Sequence, residues 1–246
     1  MSDELINSAS FPLYLQVVGR IQHAIDSGKY AVGDPIPTEL ELCEKFSVSR
    51  ITVRRAVAEL VKAGYLVKKQ GKGTFVRCAG NLRMVQSRTE MEVFSFTEAC
   101  QRAGFEPGSI ELGHFVADAD EKDQAFFDCA PGTQVVCLRR VHCANGIPIM
   151  LTTSRFPLPD FGFLRDVDLT NKSLYQLIQE RTGRVPRMVG ECVISSDRAH
   201  GDLPGWLSVP AGEPLFREVA QFADERGCPL YREEEIIVGA RYSFSL

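Results

Sequence analysis

The basic residues of the N-terminal third are spaced for contact with a polyanion. Nine Lys or Arg residues and one acidic residue lie between positions 45 and 77. Arg50 and Arg54 are four residues apart, so they share one face of any helix that contains them. Lys72 stands between two glycines, which let a loop approach another backbone closely. This pattern favours contact with DNA phosphates and base edges, and the alternative at this point is a solvated basic surface.

A second group of residues has the chemistry of a small-molecule site. Val136, Leu138, Arg140 and His142 alternate along a predicted strand and therefore share one of its faces. If the apolar pair points inward, so does the charged pair, and a buried charge is costly without a partner. A guanidinium binds carboxylate or phosphate through two parallel bonds, so one interpretation is a cavity for an anion. The alternatives are that this face becomes exposed toward the strand end, or that an acid in 233–235 neutralises Arg140.

Residues for catalysis or metal binding form no recognisable pattern. The four histidines, at positions 23, 114, 142 and 200, are not at ligand spacing to one another. The eight cysteines contain no C-x-x-C pair, and we interpret them as reduced, mostly buried thiols. We therefore predict no catalytic residue, no metal and no cofactor.

Length and charge indicate two unequal parts. The chain has 246 residues, 44% of them hydrophobic and 24% charged, which is ordinary for a soluble globular protein. Residues 1–77 hold 11 basic and 8 acidic residues, whereas 78–246 hold 17 and 24. With no apolar run of about 18 residues and no signal peptide at the N-terminus, we expect a cytoplasmic protein without membrane contact.

The elements predicted for residues 8–77 place the basic residues on a DNA-binding scaffold. Apolar residues at every fourth position from Leu13 predict a first helix, and Thr38 is suited to begin a second. Ser49 is suited to begin a third helix that ends near Ala63. Two short strands then flank the loop around Lys72. Three helices followed by a basic hairpin predict a winged helix-turn-helix, whose third helix enters the major groove.

Beyond a predicted linker at 78–90, residues 91–246 predict a mostly antiparallel α+β domain. Asn145-Gly146 between two apolar runs indicates a type I′ hairpin. The predicted strands are 135–143, 147–156, 215–222 and 230–238, and the predicted helices are 97–103 and 173–181.

In its first third the sequence resembles the GntR family of bacterial transcription regulators. The motifs that carry the resemblance are Pro12-Leu13-Tyr14, Gly33-Asp34, Pro37-Thr38-Glu39, Val48-Ser49-Arg50-Ile51-Thr52-Val53-Arg54 and Gly71-Lys72-Gly73-Thr74-Phe75-Val76. The resemblance implies DNA contacts at Thr38, Arg50, Thr52, Arg54, Gly71, Lys72 and Gly73. Leu40 departs from the family, which commonly has Arg there, so the operator is expected to differ from the common one.

Residues 91–246 resemble the UTRA effector-binding domain of HutC-type members, whose fold is similar to that of chorismate lyase. The motifs are Ser95-Phe96-Thr97-Glu98, Gly104-Phe105-Glu106-Pro107, Arg140 with Asn145-Gly146-Ile147-Pro148, Ser173-Leu174-Tyr175 and Arg241-Tyr242. The resemblance implies effector contacts at Ser95, Phe96, Arg140, His142, Ser173 and Tyr175, and dimerisation through this domain. His142, Thr152 and Ala240 replace residues common in the family, which argues against a hexosamine phosphate as effector.

Three functions are compatible with the sequence. The favoured one is a homodimeric transcription regulator, a repressor, released from its operator by a small anionic metabolite. The first alternative is an enzyme of chorismate-lyase-like fold fused to a DNA-binding domain. The second alternative is a non-specific nucleic-acid binder, which the acidic second domain disfavours.

Overall fold

A computed structural model describes residues 12–77, 84–87 and 95–245 of the chain. Most of the predicted linker at 78–90 therefore lies outside the described residues. The N-terminal module has the predicted order of three helices and a hairpin. Its elements are α1 (Leu13–Asp26), α2 (Glu39–Phe46), α3 (Arg50–Lys62), β1 (Leu66–Lys69) and β2 (Gly73–Val76).

Local sequence signals set the bounds of the helices in this module. The hydroxyl oxygen of Thr38 accepts from the backbone N–H of Glu41, whose carboxylate accepts from the N–H of Thr38 in return, which makes a capping box. Ser49 caps α3 by accepting from the N–H of Thr52. The inner face of α3 is buried against α1 and α2, and its members are Val53, Ala56, Val57 and Leu60.

The second module is built on a six-stranded, fully antiparallel sheet in the order β4-β5-β6-β9-β8-β7. The strands are β3 (Met84–Ser87), β4 (Pro107–Asp118), β5 (Gln134–Ala144), β6 (Ile147–Pro157), β7 (Arg187–Arg198), β8 (Pro214–Ala223), β9 (Pro229–Val238) and β10 (Tyr242–Ser245). The helices are α4 (Phe96–Arg102), α5 (Glu121–Phe127), α6 (Leu158–Phe161), α7 (Leu174–Thr182) and α8 (Leu203–Leu207), with single 3₁₀ turns at Gly162–Asp166 and Gly239–Arg241.

The two modules share buried contacts along α1. Leu15 of α1 packs into an apolar cluster with α8 and the sheet, which includes Leu207 and Leu151. The hydroxyl of Ser208 donates to the carbonyl of Leu15 over 3.0 Å. Gly19 of α1 lies against Ser208, the residue that follows α8, and a Cβ on Gly19 would lie only 1.7 Å from the Cβ of Ser208. Only glycine at position 19 permits this approach.

The predicted strands and helices are confirmed to within one or two residues. Asn145 and Gly146 both have positive φ, 50° and 77°, as a type I′ turn requires. Several elements were not predicted, among them the two edge strands β4 and β7. Strand β3 was not predicted either. It lies within the expected linker and pairs in parallel with β10, so part of that segment has regular structure. The domain boundaries themselves stay predictions.

Candidate DNA-binding surface and effector pocket

The outer face of α3 carries the predicted base-reading residues. Arg50 and Arg54 are both exposed at its N-terminal end, opposite the buried Val53. Ile51 lies beside them with 82% of its surface exposed. An apolar side chain this exposed on a recognition helix is suited to contact thymine methyl groups. Ile51 is not among the DNA contacts predicted from the sequence; its position between Arg50 and Arg54 on α3 is the signal that points to it.

Thr38 and Thr52 occupy structural as well as surface positions. The Thr38 hydroxyl donates to the Glu41 carboxylate over 2.8 Å, and the Thr52 hydroxyl lies 2.8 Å from that of Ser49. Both hydroxyls therefore already serve the caps of α2 and α3. A contact of either one with DNA would have to use its remaining hydrogen-bonding capacity.

The loop between β1 and β2 forms the predicted wing. Gly71 and Gly73 have φ values of 69° and 114°, a region that side chains rarely adopt. Lys72 between them is exposed. Leu40, the departure from the family pattern, is half-exposed on α2 and presents an apolar group in place of a guanidinium.

The six predicted effector residues come together around one cavity of the second module. Arg140 is buried, with 4% of its surface exposed, and its Nη1 donates to the carbonyl of Lys172 over 3.1 Å. Its Nε has no hydrogen-bond partner, and burial lowers the pKa of the guanidinium. The cavity has a volume of about 100 Å³ and is lined by all of Ser95, Phe96, Arg140, His142, Ser173 and Tyr175.

His142 is held as a neutral ring in this cavity. Its Nε2 lies 3.2 Å from the Thr152 hydroxyl, and its ring lies 4.7 Å from that of Phe96. Burial, and secondly the charge of Arg140, lower the pKa of His142 well below its ordinary value. His142 therefore contributes a hydrogen-bonding group and no positive charge near neutral pH.

Two helix N-termini point their capping serines at the cavity. Ser173 caps α7 by accepting from the N–H of Gln176 over 3.3 Å. Ser95 caps α4, with Glu98 completing a capping box. Uncapped backbone N–H groups at a helix start favour an anion. Ser173, next to Arg140 and Tyr175 in the lining, is the better placed of the two for that role.

Carboxylates also line the cavity. Side chains alternate between the two faces of a strand, so every second residue of 230–238 can face the cavity. Glu233 and Glu235 line it from β9, together with Glu218 from β8. Burial raises the pKa of Glu233, although a hydrogen bond from Ser154 and the charge of Arg140 act against this. Glu234 lies on the opposite face and pairs with Arg217 at 2.8 Å, so the suggestion that Glu234 might neutralise Arg140 is wrong.

A larger open groove elsewhere is a poorer candidate for an anion site. It has a volume of about 700 Å³ and lies near Arg184 and Asp224. There Arg184 donates to the Asp224 carboxylate over 2.8 Å and to the carbonyls of Cys228 and Pro229. Its guanidinium is already paired with a carboxylate, whereas Arg140 forms no ion pair with any of the described residues.

The β5–β6 hairpin runs from the cavity to the recognition helix. Arg140 and His142 lie on β5, which ends at Ala144. The turn of the hairpin follows at Asn145 and Gly146. A Cβ on Gly146 would lie 3.3 Å from a carboxylate oxygen of Glu59 on α3. Beside this contact, Lys62 of α3 forms an ion pair of 2.5 Å with Glu106, whose N–H donates to the side chain of Asn145.

The described residues contain no other obvious functional centre. Within 12–77, 84–87 and 95–245, no three His, Cys, Asp or Glu residues cluster as metal ligands would. No helix in these ranges is long and apolar enough to cross a membrane. Seven cysteines lie there without disulfide bonds; three are buried, three are half-buried and Cys228 is exposed.

A winged helix with exposed arginines, joined to a domain with a small polar cavity, defines a DNA-binding regulator with a ligand-sensing domain. Comparison with family models agrees. Residues 13–76 match the model described as bacterial regulatory proteins, gntR family, and residues 102–243 match the UTRA domain model. The chain belongs to the GntR family, in its UTRA-containing branch, and is therefore a transcription regulator and not an enzyme.

Relatives of this chain are similar over nearly its whole length. The HTH-type transcriptional repressor NagR of Bacillus subtilis is 28% identical over 97% of this chain and 96% of its own. The probable fructoselysine utilization operon transcriptional repressor of Escherichia coli K12 is 32% identical over 90% of this chain and 88% of its own. The crystal structure of PhnF from Mycobacterium smegmatis aligns with a TM-score of 0.61 and 27% identity, covering 93% of this chain and 97% of that one.

Proposed function

We propose that this protein is a repressor that binds an operator through α3 and the wing and leaves it when a small anionic metabolite binds the cavity. Arg50, Arg54 and Ile51 supply base contacts, while Lys72 contacts the backbone or the minor groove. Thr38, Thr52 and the wing glycines support the backbone approach. That relatives with both domains are named as repressors supports the direction of control.

The observation that carries the effector proposal is the buried Arg140 with its unpartnered Nε. Among the described residues Arg140 forms no ion pair, and its one hydrogen bond goes to a backbone carbonyl. A buried guanidinium in this state gains most from a carboxylate or phosphate. Ser173 and the N–H groups that begin α7 supply further donors to the same anion.

The repressor acts as a homodimer in the cytoplasm, where its operator is. Strand β7 is the outermost strand of the sheet, 12 residues long and mostly exposed, with Val193 at 54% and Ile194 at 38% exposure. A long edge strand with apolar side chains favours pairing with a second copy. Two-fold symmetry would then present two recognition helices to a palindromic operator.

The test combines footprinting on the promoter beside the gene with effector binding. Wild-type protein is expected to protect a roughly palindromic site, and a metabolite screen by thermal shift identifies stabilising anions. Arg140→Ala is expected to bind the operator as wild type does and to lose the response to those anions. If Arg140→Ala binds them as tightly as wild type in calorimetry, the effector site is wrongly assigned; if no site is protected, the repressor proposal fails.

A further inference from the structure

Arg139 lies on the outer face of the sheet, which is the face opposite the effector cavity. It directly precedes Arg140 on β5, and successive side chains of a strand point to opposite faces. Its Nε is buried without a hydrogen-bond partner. Within the part of the chain that the structure describes, its guanidinium forms no ion pair. The strand therefore holds one unpaired arginine on each face of the sheet.

Two aromatic rings position the Arg139 guanidinium. Its Cζ lies 5.7 Å from the ring centroid of Phe115 on β4 and 5.3 Å from that of Trp206 on α8. Aromatic rings contact the flat surface of a guanidinium, so the N–H donors at its edge stay free for other groups. A positioned guanidinium with free edge donors binds a carboxylate through two parallel hydrogen bonds.

Arg139 lies on the floor of a groove between α5 and α8, which we call the outer groove. Two cavities of about 540 and 450 Å³ form this groove, and they share four lining residues. These are Arg139, Thr153, Arg217 and Glu234. Volumes of this size are typical of small-molecule sites. Thr153 is directly opposite Arg139 in the sheet, so its hydroxyl can donate to the same anion.

The other three arginines that line the outer groove already have carboxylate partners. Arg217 donates to both carboxylate oxygens of Glu234, over 2.9 and 2.8 Å. Arg155 and Arg232 both pair with the buried carboxylate of Asp123. The remaining arginine, stacked on the two rings, has no such partner among the described residues. A ligand carboxylate would supply one.

The α8 end of the outer groove favours a ligand with one negative charge and an apolar tail. Leu151 and Ile236 line this end together with Trp206 and offer apolar contacts to a tail. Asp197 and Asp202 line it as well and would repel a second negative charge. A monocarboxylate satisfies both conditions.

We propose that the outer groove is a second ligand site, which binds a small monocarboxylate. The carboxylate is held by Arg139 and Thr153, and the apolar tail lies against Trp206. The site goes beyond the proposed function, because it lies on the other face of the sheet from the effector cavity. Leu207, next to Trp206 on α8, packs against Leu15 of α1, so the ligand would bind beside the contact between the two modules.

The experiment titrates hexanoate and hexanamide, which differ in charge but hardly in shape, into the full chain. Calorimetry measures the affinities, and the fluorescence of Trp206, the one tryptophan of the chain, locates the binding. Wild type is expected to bind hexanoate about tenfold tighter than hexanamide or more, the effect of charge-assisted hydrogen bonds, and to bind the dicarboxylate succinate more weakly than hexanoate.

Two variants test the assignment of the carboxylate to its ligands. Arg139→Gln should abolish the preference for hexanoate over hexanamide. Thr153→Val, which leaves the guanidinium in place, should reduce it several-fold. Arg165→Gln removes the same charge from an exposed position of the same module and should preserve the preference. Arg140→Ala, which alters only the effector cavity, should preserve it as well.

The outcomes separate this inference from the proposed function. Equal affinity for hexanoate and hexanamide, including no measurable binding of either, or tighter binding of succinate, overturns the monocarboxylate site. So does a preference that survives in both groove variants with circular dichroism like that of wild type, or one that is lost in Arg140→Ala. If Arg139→Gln instead converts dimers to monomers in light scattering, a second copy occupies the outer groove and the ligand site is wrong. Operator binding is measured separately and does not depend on these results.

Discussion

At the residue scale, the first turns of α3 divide their side chains between the core and the solvent. Val53 is fully buried, while Arg50 and Arg54 project from the opposite face. Arginine is the usual partner of guanine in the major groove because its two parallel donors match two acceptors on that base. The arginines can therefore change without a cost to the core.

Arg50→Ala and Arg54→Ala are each expected to weaken operator binding by about 1–3 kcal/mol at fixed salt. A gel shift with the protected promoter fragment measures the loss. The control is Arg165→Ala, which removes the same charge from an exposed position in the second module. Native-like operator binding by the Arg50/Arg54 double variant would contradict the assignment of α3 as the recognition helix.

His142 is expected to make the fold sensitive to acid. Burial lowers its pKa in the folded chain, so below the ordinary value of about 6.5 the unfolded chain takes up a proton that the folded chain does not. This favours unfolding as the pH falls. Between pH 7.5 and 5.5, wild type should lose about 1.4 kcal/mol more of its free energy of unfolding than His142→Asn does.

Urea unfolding of both proteins at the two pH values measures this difference. Glu233, whose pKa is raised in the same cavity, is present in both proteins, so its titration largely cancels in the comparison. Equal losses in the two proteins would mean that His142 is accessible to protons in the folded state.

Much of the candidate site could be predicted from the sequence, because the positions of its residues follow from short-range patterns. Alternation on β5 placed Arg140 and His142 on the inner face, and serine capping signals located the starts of α3 and α7. The cross-strand pairing of Glu218 with Glu235 could not be predicted, because it depends on the register of β8 against β9. The same is true of β4 and β7, whose long strands have irregular burial on both faces.

At the element scale, the crossing of α1 over the turn after α8 has no room for a side chain at position 19. Gly19→Ala would place a methyl group within 1.7 Å of Ser208, so one of the two elements must move. Overpacking of this kind typically costs about 1–3 kcal/mol. The contact is one of several that join the DNA-binding module to the sheet.

Gly19→Ala is therefore expected to lower the free energy of unfolding by about 1–3 kcal/mol, measured by urea denaturation. Gly162→Ala is the control, since its added methyl would meet only Leu158 at an ordinary 3.8 Å. Adding Ser208→Gly to Gly19→Ala removes the clashing Cβ, and Ser208 already has the positive φ that glycine tolerates. The double variant should recover part of the loss, because the backbone oxygen of Ser208, 2.6 Å from the added Cβ, remains in place. No recovery would mean that this backbone contact, and not the Ser208 side chain, sets the cost.

At the scale of the whole molecule, the exposed strand β7 leads to a prediction about assembly. Val193→Lys would put a charge at the centre of the proposed contact between two copies and should raise the dimer dissociation constant about tenfold or more. Light scattering across a concentration series measures it. Val32→Lys, an equally exposed valine on the DNA-binding module, is the control. A Val193→Lys protein that remains as dimeric as wild type would place the dimer contact on another surface.

The β5–β6 hairpin runs from the cavity to Glu59 of α3 and is the proposed link between effector binding and operator binding. Any such coupling is reciprocal by thermodynamic linkage. If a ligand weakens operator binding by a factor within about 5–150, then the operator must weaken ligand binding by the same factor. Calorimetry with and without the operator fragment checks this equality. Repressor molecules off the DNA would then capture the metabolite first, so the cellular amount of repressor, and not its affinity alone, would set the metabolite level at which transcription begins.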